Sequence, residues 1–149
     1  MSLESRVMTA LKAAMKAKDD AAKRSLRAIK SAILLEKTSG SSKTFDEAAE
    51  IKMVQKLVKQ RRDSLAIFEQ QGREDLATKE REEIAVIEQF LPQQMDATEL
   101  ESFLKGIIAQ TGASSMRDMG KVMGMASKQL AGRADGKTVS GMVKKLLSA

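Results

Sequence analysis

The sequence predicts an all-α protein: an N-terminal helical domain of about four helices over residues 1–91, then a small three-helix bundle over residues 92–149. Three observations carry this prediction. Ala, Leu, Lys, Glu, Gln and Met dominate, all of them strong helix formers, and Pro92 is the one proline in 149 residues, so the main helix breaker is nearly absent. Aromatics make up only 3%, as four Phe with no Trp or Tyr, too few for the ring-rich faces that strand cores favour. Apolar residues recur three and four positions apart, punctuated by capping signals.

Taken in order, Leu3, Val7, Leu11 and Met15 form one stripe of a first helix over residues 2 to about 18. Asp19 or Asp20 can cap a second, to about residue 37, with Ala22, Leu26, Ile29 and Ile33 facing inward. Thr38-Ser39-Gly40-Ser41-Ser42-Lys43 has loop composition. Thr44-Phe45-Asp46-Glu47 carries the capping-box pattern, with Thr44 as cap, and opens a long third helix to about residue 71. Its inner face is Ile51, Val54, Val58, Leu65 and Phe68. Gly72 is placed to end it in a left-handed conformation. A fourth helix, about residues 73–90, buries Leu76, Ile84, Ile87 and Leu91. Pro92 pushes Leu91 out of helical geometry, which sets the boundary between the two domains.

Asp96-Ala97-Thr98-Glu99 is a second capping box, opening a helix with Leu100, Phe103, Leu104, Ile107 and Ile108 inside. Thr111-Gly112-Ala113-Ser114-Ser115 turns the chain and caps a helix whose inner side is Met116, Met119, Met123, Ala126 and Leu130. After the turn at Ala131-Gly132-Arg133-Ala134-Asp135-Gly136, the last helix carries Val139, Met142, Val143 and Leu146. No internal repeat is visible.

Composition excludes much chemistry. Without Cys or His there are no disulfides, no thiolate and no imidazole base. A zinc site would have to be all-carboxylate, so neither metal nor cofactor is expected. The glycine-rich phosphate loop of nucleotide enzymes is absent. Ser114 and Ser115 with Lys121 have the makings of a Ser–Lys pair, but a nucleophile of that kind needs a buried neutral lysine. Ser is a favoured cap at a helix start, and Lys121 falls on a charged stripe, so no catalytic residue is assigned. Glu82 and Glu83 sit in a mixed-charge helix and need no special role. No apolar run approaches the roughly 20 residues of a membrane span, so no membrane partner is expected. The first residues hold no apolar secretory leader, and a cytoplasmic location is expected by default.

Charge is the informative property. Lys and Arg number 26 against 20 Asp and Glu, an excess of six that fits a polyanionic partner. Residues 112–149 hold seven cations (Arg117, Lys121, Lys128, Arg133, Lys137, Lys144 and Lys145) against Asp118 and Asp135, which is most of that excess. Arg117, Lys121 and Lys128 share a stripe with Gly124 in the gap, and Lys137, Lys144 and Lys145 line the polar side of the last helix. Burying the opposing Met, Val and Leu residues forces these cations outward together, into one clustered basic exterior. Each phosphate such groups neutralise releases counterions, so the seven are the candidate RNA-binding residues. Gly132 and Gly136 admit two readings: an anion seat at a helix start flanked by Arg133 and Lys137, or an ordinary turn with Asp135 as cap, the reading favoured here.

The stripes of the first domain, Lys23-Arg27-Lys30 and Lys52-Lys56-Lys59 with Arg61 and Arg62, lie among carboxylates and read as solvated faces and interhelix pairs. The absence of Tyr and Trp favours recognition of RNA shape and phosphate over base stacking. The methionines Met116, Met119, Met123, Met125 and Met142 could present a flexible surface to a partner, but their spacing is that of a core.

Several motifs are similar to those of the YqeY proteins of the GatB/YqeY family. They are Lys59-Gln60-Arg61-Arg62-Asp63-Ser64, Gly72-Arg73-Glu74-Asp75-Leu76, Phe90-Leu91-Pro92, Thr111-Gly112-Ala113-Ser114-Ser115, Asp118-Met119-Gly120-Lys121-Val122-Met123 and Gly132-Arg133-Ala134-Asp135-Gly136-Lys137. The resemblance implies two helical domains, the second shared with the tail of the GatB subunit of glutamine-dependent tRNA amidotransferase, where it grips tRNA. It implies a tRNA partner and an association with carbon–nitrogen ligase chemistry that resides in other domains. It also implies a tRNA role for Lys121, Arg133 and Lys137. The expectation is a non-catalytic tRNA-binding accessory module; the alternative is an adaptor docking on an amidotransferase or an aminoacyl-tRNA synthetase.

Overall fold

Seven α-helices and one short 3₁₀ turn follow one another in the computed structural model, which describes residues 2–40 and 44–148. No strand occurs among the described residues. The chain divides into two compact units, Met1–Leu91 and Pro92–Ala149.

In the first unit, α1 (Leu3–Ala17) buries Leu3, Val7, Leu11 and Ala14. Met15, expected inside, is 54% exposed. Steps of four residues advance about 40° round an α-helix, so a run of them walks off the buried face, and the three-residue step to Ala14 returns to it. Ser2 caps α1, its hydroxyl accepting from the Ser5 N–H. The helix ends without glycine: Lys18 takes the left-handed conformation (φ 54°), and the Asp19 N–H donates to the Ala14 carbonyl at 3.0 Å. Asp19 then caps α2 (Asp20–Thr38) by accepting from the Ala22 N–H. Leu26, Ile29 and Ile33 are buried on α2, with Ala22 packed against them. Buried Ser25 satisfies its hydroxyl on the Ala21 carbonyl.

Part of the loop expected over residues 38–43 (Ser41, Ser42 and Lys43) lies outside the described residues. The cap of α3 (Glu47–Gln70) is Asp46, whose carboxylate accepts from the Ala49 N–H at 2.9 Å. Thr44 was expected there, but a carboxylate is the stronger cap and Asp46 stands next to the first helical residue. Glu50 reaches across to accept from the Leu3 N–H at 2.8 Å, satisfying one of the orphan donors of α1. Val54 and Val58 are the buried residues of α3. Gly72 has φ 70° and turns the chain into α4 (Glu74–Glu88), which buries Ala77 and Ile87. Helix α1 packs on α2, and α4 packs on both α2 and α3. Phe90 closes the core with Arg6 over its ring.

In the second unit, α5 (Ala97–Thr111), the 3₁₀ turn Met116–Asp118, α6 (Met119–Leu130) and α7 (Gly136–Leu147) follow. The three α-helices pack pairwise around one core of Leu100, Leu104, Ile107, Val122, Ala126, Leu130, Val139, Val143 and Leu147. The capping box of α5 is complete: the Glu99 N–H donates to Asp96 at 2.8 Å and the Asp96 N–H to Glu99 at 3.3 Å. Gly112 ends α5 at φ 70°. The expected methionine face of α6 is rotated. Val122 takes the centre, Met119 and Met123 pack at its margins, and Met116 is 43% exposed. The segment after Pro92 is strapped to the turn between α6 and α7: the Met95 N–H donates to the Arg133 carbonyl at 2.9 Å and Gln94 Nε2 to the Gly132 carbonyl at 2.9 Å.

Candidate nucleic-acid interface

Net charge does not distinguish the two units. The first holds eighteen basic and fifteen acidic residues and the second eight and five, an excess of three in each. What differs is where the carboxylates go. In the first unit they meet cations: Arg24 with Glu83 at 3.0 Å and Glu82 at 3.5 Å, Arg61 with Glu83 at 3.6 Å, Arg62 with Glu88, Arg81 with Glu69 and Glu74, Lys59 with Asp63. As expected, the stripes are in part interhelix pairs, at Arg61 and Arg62, and in part solvated: Lys52, Lys56, Arg27 and Lys30 have no ion-pair partner among the described residues.

In the second unit, four of the five carboxylates serve backbone amides. Asp96 and Glu99 form the capping box of α5. Asp118 accepts from the Ser114 N–H at 3.0 Å and the Ser115 N–H at 3.4 Å. Asp135 accepts from the N–H groups of Lys137 and Thr138 at the start of α7. Glu101 meets a cation, Lys105, at 3.4 Å. Among the described residues none of Arg117, Lys121, Lys128, Arg133, Lys137, Lys144 and Lys145 has a carboxylate partner. All but Arg133 are exposed.

These placements bear on two local readings. Asp135 accepts from the Lys137 and Thr138 amides at the start of α7, the arrangement of a capped turn. The Ser114 and Ser115 amides are held by Asp118 and are not free to serve as an oxyanion hole, while Lys121 stands in solvent. An exposed lysine lacks the burial that such a nucleophile's base requires.

The lysines form a repeated geometry. Lys121 and Lys128 on α6, and Lys137 and Lys144 on α7, are each seven residues apart, which places each pair within about 20° on its helix and roughly 10 Å apart along it. Between the members of each pair lies a glycine, Gly124 and Gly141. Each glycine is two residues beyond a buried valine, Val122 and Val139, or about 200° round the helix, so it sits on the outer face. A Cβ added at either would meet nothing within 4 Å, so the helix backbone is open to close approach between two cations. Gly124 was legible as the gap in a stripe; the matching role of Gly141 was missed, although the same lysine spacing was there to find it.

The structure does not merge the seven cations into one patch. Because α5, α6 and α7 pack pairwise about one core, the outward directions of α6 and α7 diverge, giving two lysine stripes. Lys145 joins the stripe on α7 and exposed Arg117 stands at the amino-terminal end of α6. Arg133 stands apart: it is half-buried, and its Nε donates to the Gln93 carbonyl at 3.0 Å, so it clamps the segment entering the bundle. Met119, Met123, Met125 and Met142 pack against the core, leaving Met116 as the exposed methionine of that group. No helix among the described residues is long and apolar enough to cross a membrane.

Comparison with known proteins agrees with the motifs. Residues 4–147 match the family described as Yqey-like protein. Among curated relatives, "Altered inheritance of mitochondria protein 41, mitochondrial" of Vanderwaltozyma polyspora is 35% identical over 116 residues, covering 73% of this chain and 62% of the relative. The proteins of that name from Lachancea thermotolerans and Kluyveromyces lactis are 38% identical over 91 residues and 39% over 80, covering 61% and 54% of this chain and 49% and 43% of their own lengths. The chain thus spans about half the length of the curated relatives it matches. These names correct one expectation: a cytoplasmic location was inferred, and these relatives are named as mitochondrial. Lack of an apolar secretory leader does not indicate the cytoplasm, because organelle-targeting segments are amphipathic and arginine-rich and give no such signal. With the match running through both helical units, the chain belongs to the YqeY-like family.

Proposed function

We propose that this chain is a non-catalytic accessory module that holds folded RNA, tRNA in the expected case, on the outer faces of α6 and α7. The observation that carries this reading is the division of charge in the second unit: carboxylates are engaged on helix-capping amides, and six exposed cations face water without acidic partners among the described residues. Such cations bind phosphate with release of counterions. The open backbone at Gly124 and Gly141 lets a phosphodiester chain approach between paired lysines. Two diverging stripes suit an RNA that meets the bundle along two stretches of backbone, and the lack of Tyr and Trp fits recognition by shape. The resemblance to the tail of tRNA amidotransferase supports tRNA as the RNA. In this reading carbon–nitrogen ligase chemistry belongs to a partner.

The test is a titration of the full chain with folded tRNA at two salt concentrations, beside a variant with Lys121, Lys128, Lys137, Lys144 and Lys145 changed to Glu. Arg133 is left intact because it holds the fold. The unaltered chain is expected to lose affinity steeply with salt. The variant should bind weakly, its salt slope flatter by about one unit for each phosphate it no longer neutralises. Equal binding by the two proteins would rule the reading out.

A further inference from the structure

The first unit carries an apolar seam with a basic rim that the RNA reading does not use. Where α1 and α2 lie side by side, a notch of about 190 Å³ is lined by Glu4, Val7, Met8, Lys30, Ile33 and Leu34, among others. Val7 and Ile33 form its buried floor, and Leu34 on its wall is 62% exposed. The seam continues beyond the notch. Met15 lies seven residues from Met8, and Arg27 seven from Leu34, so each lies within about 20° of its mate on the same side of its helix. Met15 is 54% exposed. Lys23, Lys30 and Lys37 repeat at the same interval along α2. The acids beside the seam are engaged, Glu4 with Lys37 and Asp20 with Lys23, whereas Lys12, Arg27 and Lys30 have no ion-pair partner among the described residues.

We propose that this seam docks an acidic amphipathic helix of a partner protein. Met8, Met15 and Leu34 would receive apolar anchors at helical spacing, the flexible methionines adapting to their shape. Lys12, Arg27 and Lys30 would meet carboxylates on its flanks, charge complementarity that sets orientation and excludes basic partners. The apolar floor gives nothing to nucleic acid. A concave notch without an aromatic side chain is the wrong shape for insertion into a lipid surface, where protruding apolar residues anchor.

The probe is a fluorescein-labelled synthetic peptide longer than about 15 residues, so that it is helical, with Leu at i, i+4 and i+7 and Glu on both flanks. Titrated with the full chain, it is expected to bind saturably and to shift the methyl NMR signals of Met8 and Met15. Leu34→Asp, and separately Arg27→Glu with Lys30→Glu, should each weaken binding at least about tenfold. These exposed substitutions should leave the melting temperature unchanged, which separates a docking defect from a folding defect. The lysine variant of the second unit should bind the peptide normally, so this test is independent of the RNA reading. A scrambled peptide of the same composition binding equally well, either seam variant binding as the parent does, or no peptide binding would overturn the proposal. So would sedimentation of the chain with phosphatidylglycerol vesicles in a Leu34-dependent way, which would make the seam a lipid-binding surface.

Discussion

Replacing Gly124 and Gly141 by Ala should stabilise the second unit and weaken its hold on RNA. Both glycines are in α-helices, neither has a positive φ, and a Cβ at either meets nothing within 4 Å, so the folded state accepts alanine without strain. Gly in a helix interior costs about 0.8–1.0 kcal/mol relative to Ala, giving roughly 2 kcal/mol for the double variant. At about 4–8 °C per kcal/mol for a domain of this size, the melting temperature of the second unit should rise by roughly 8–16 °C in a thermal scan followed by circular dichroism. Affinity should move the other way. Two methyl groups would stand where an RNA backbone approaches between lysine pairs, and blocking that approach is expected to weaken tRNA binding at least about tenfold, or 1.4 kcal/mol. Gly106→Ala is the control: it too is exposed and open, but the neighbouring Lys105 is paired with Glu101, so stability should rise with binding unchanged. A more stable double variant that binds tRNA as tightly as the parent would refute close approach over these glycines. Failure of the melting temperature to rise would refute the helical placement itself.

Removing the cap of α5 by Asp96→Ala should destabilise the second unit by about 1 kcal/mol, seen as a lower urea midpoint with unchanged slope. In the first unit, Glu80 is held above its ordinary carboxyl range, chiefly by burial and next by Glu83, with Arg61 and Arg24 partly offsetting. A carboxyl whose pKa is raised on folding favours the folded state below its unfolded value and loses that contribution as pH rises through the folded one. Glu80→Gln should therefore raise the melting temperature near about pH 7 and change it less near about pH 4; the reverse order would show that Glu80 is stabilised as the anion. Leu104→Ala, at a fully buried position, should cost about 2–5 kcal/mol; hydrogen exchange is expected to show the loss in α5, α6 and α7 first.

Much of the fold was legible because its signals are local. Caps at Asp19 and Asp96, the left-handed ending at Gly72, and the three- and four-residue apolar steps act within one or two turns and leave marks in the residue order. Helical periodicity locates a buried face only to within one neighbour, however. That Ala14 and not Met15, or Val122 and not Met119 and Met123, took the centre depended on how the helices dock. The cap of α3 shifted from Thr44 to Asp46 for a chemical reason that ranking the two side chains could have anticipated.

Helicity, a basic outer surface and the heptad spacing of the second unit's lysines follow from residue order alone, because composition and spacing are properties of the chain whatever its fold. Which charges remain free depends on packing. Arg24 meets Glu83 from 59 residues away, and Arg133 bonds to the Gln93 carbonyl across 40 residues, partnerships no local window contains. Packing also sends the cations of α6 and α7 out of the bundle along separate stripes, since helices sharing a core must turn their outer faces apart.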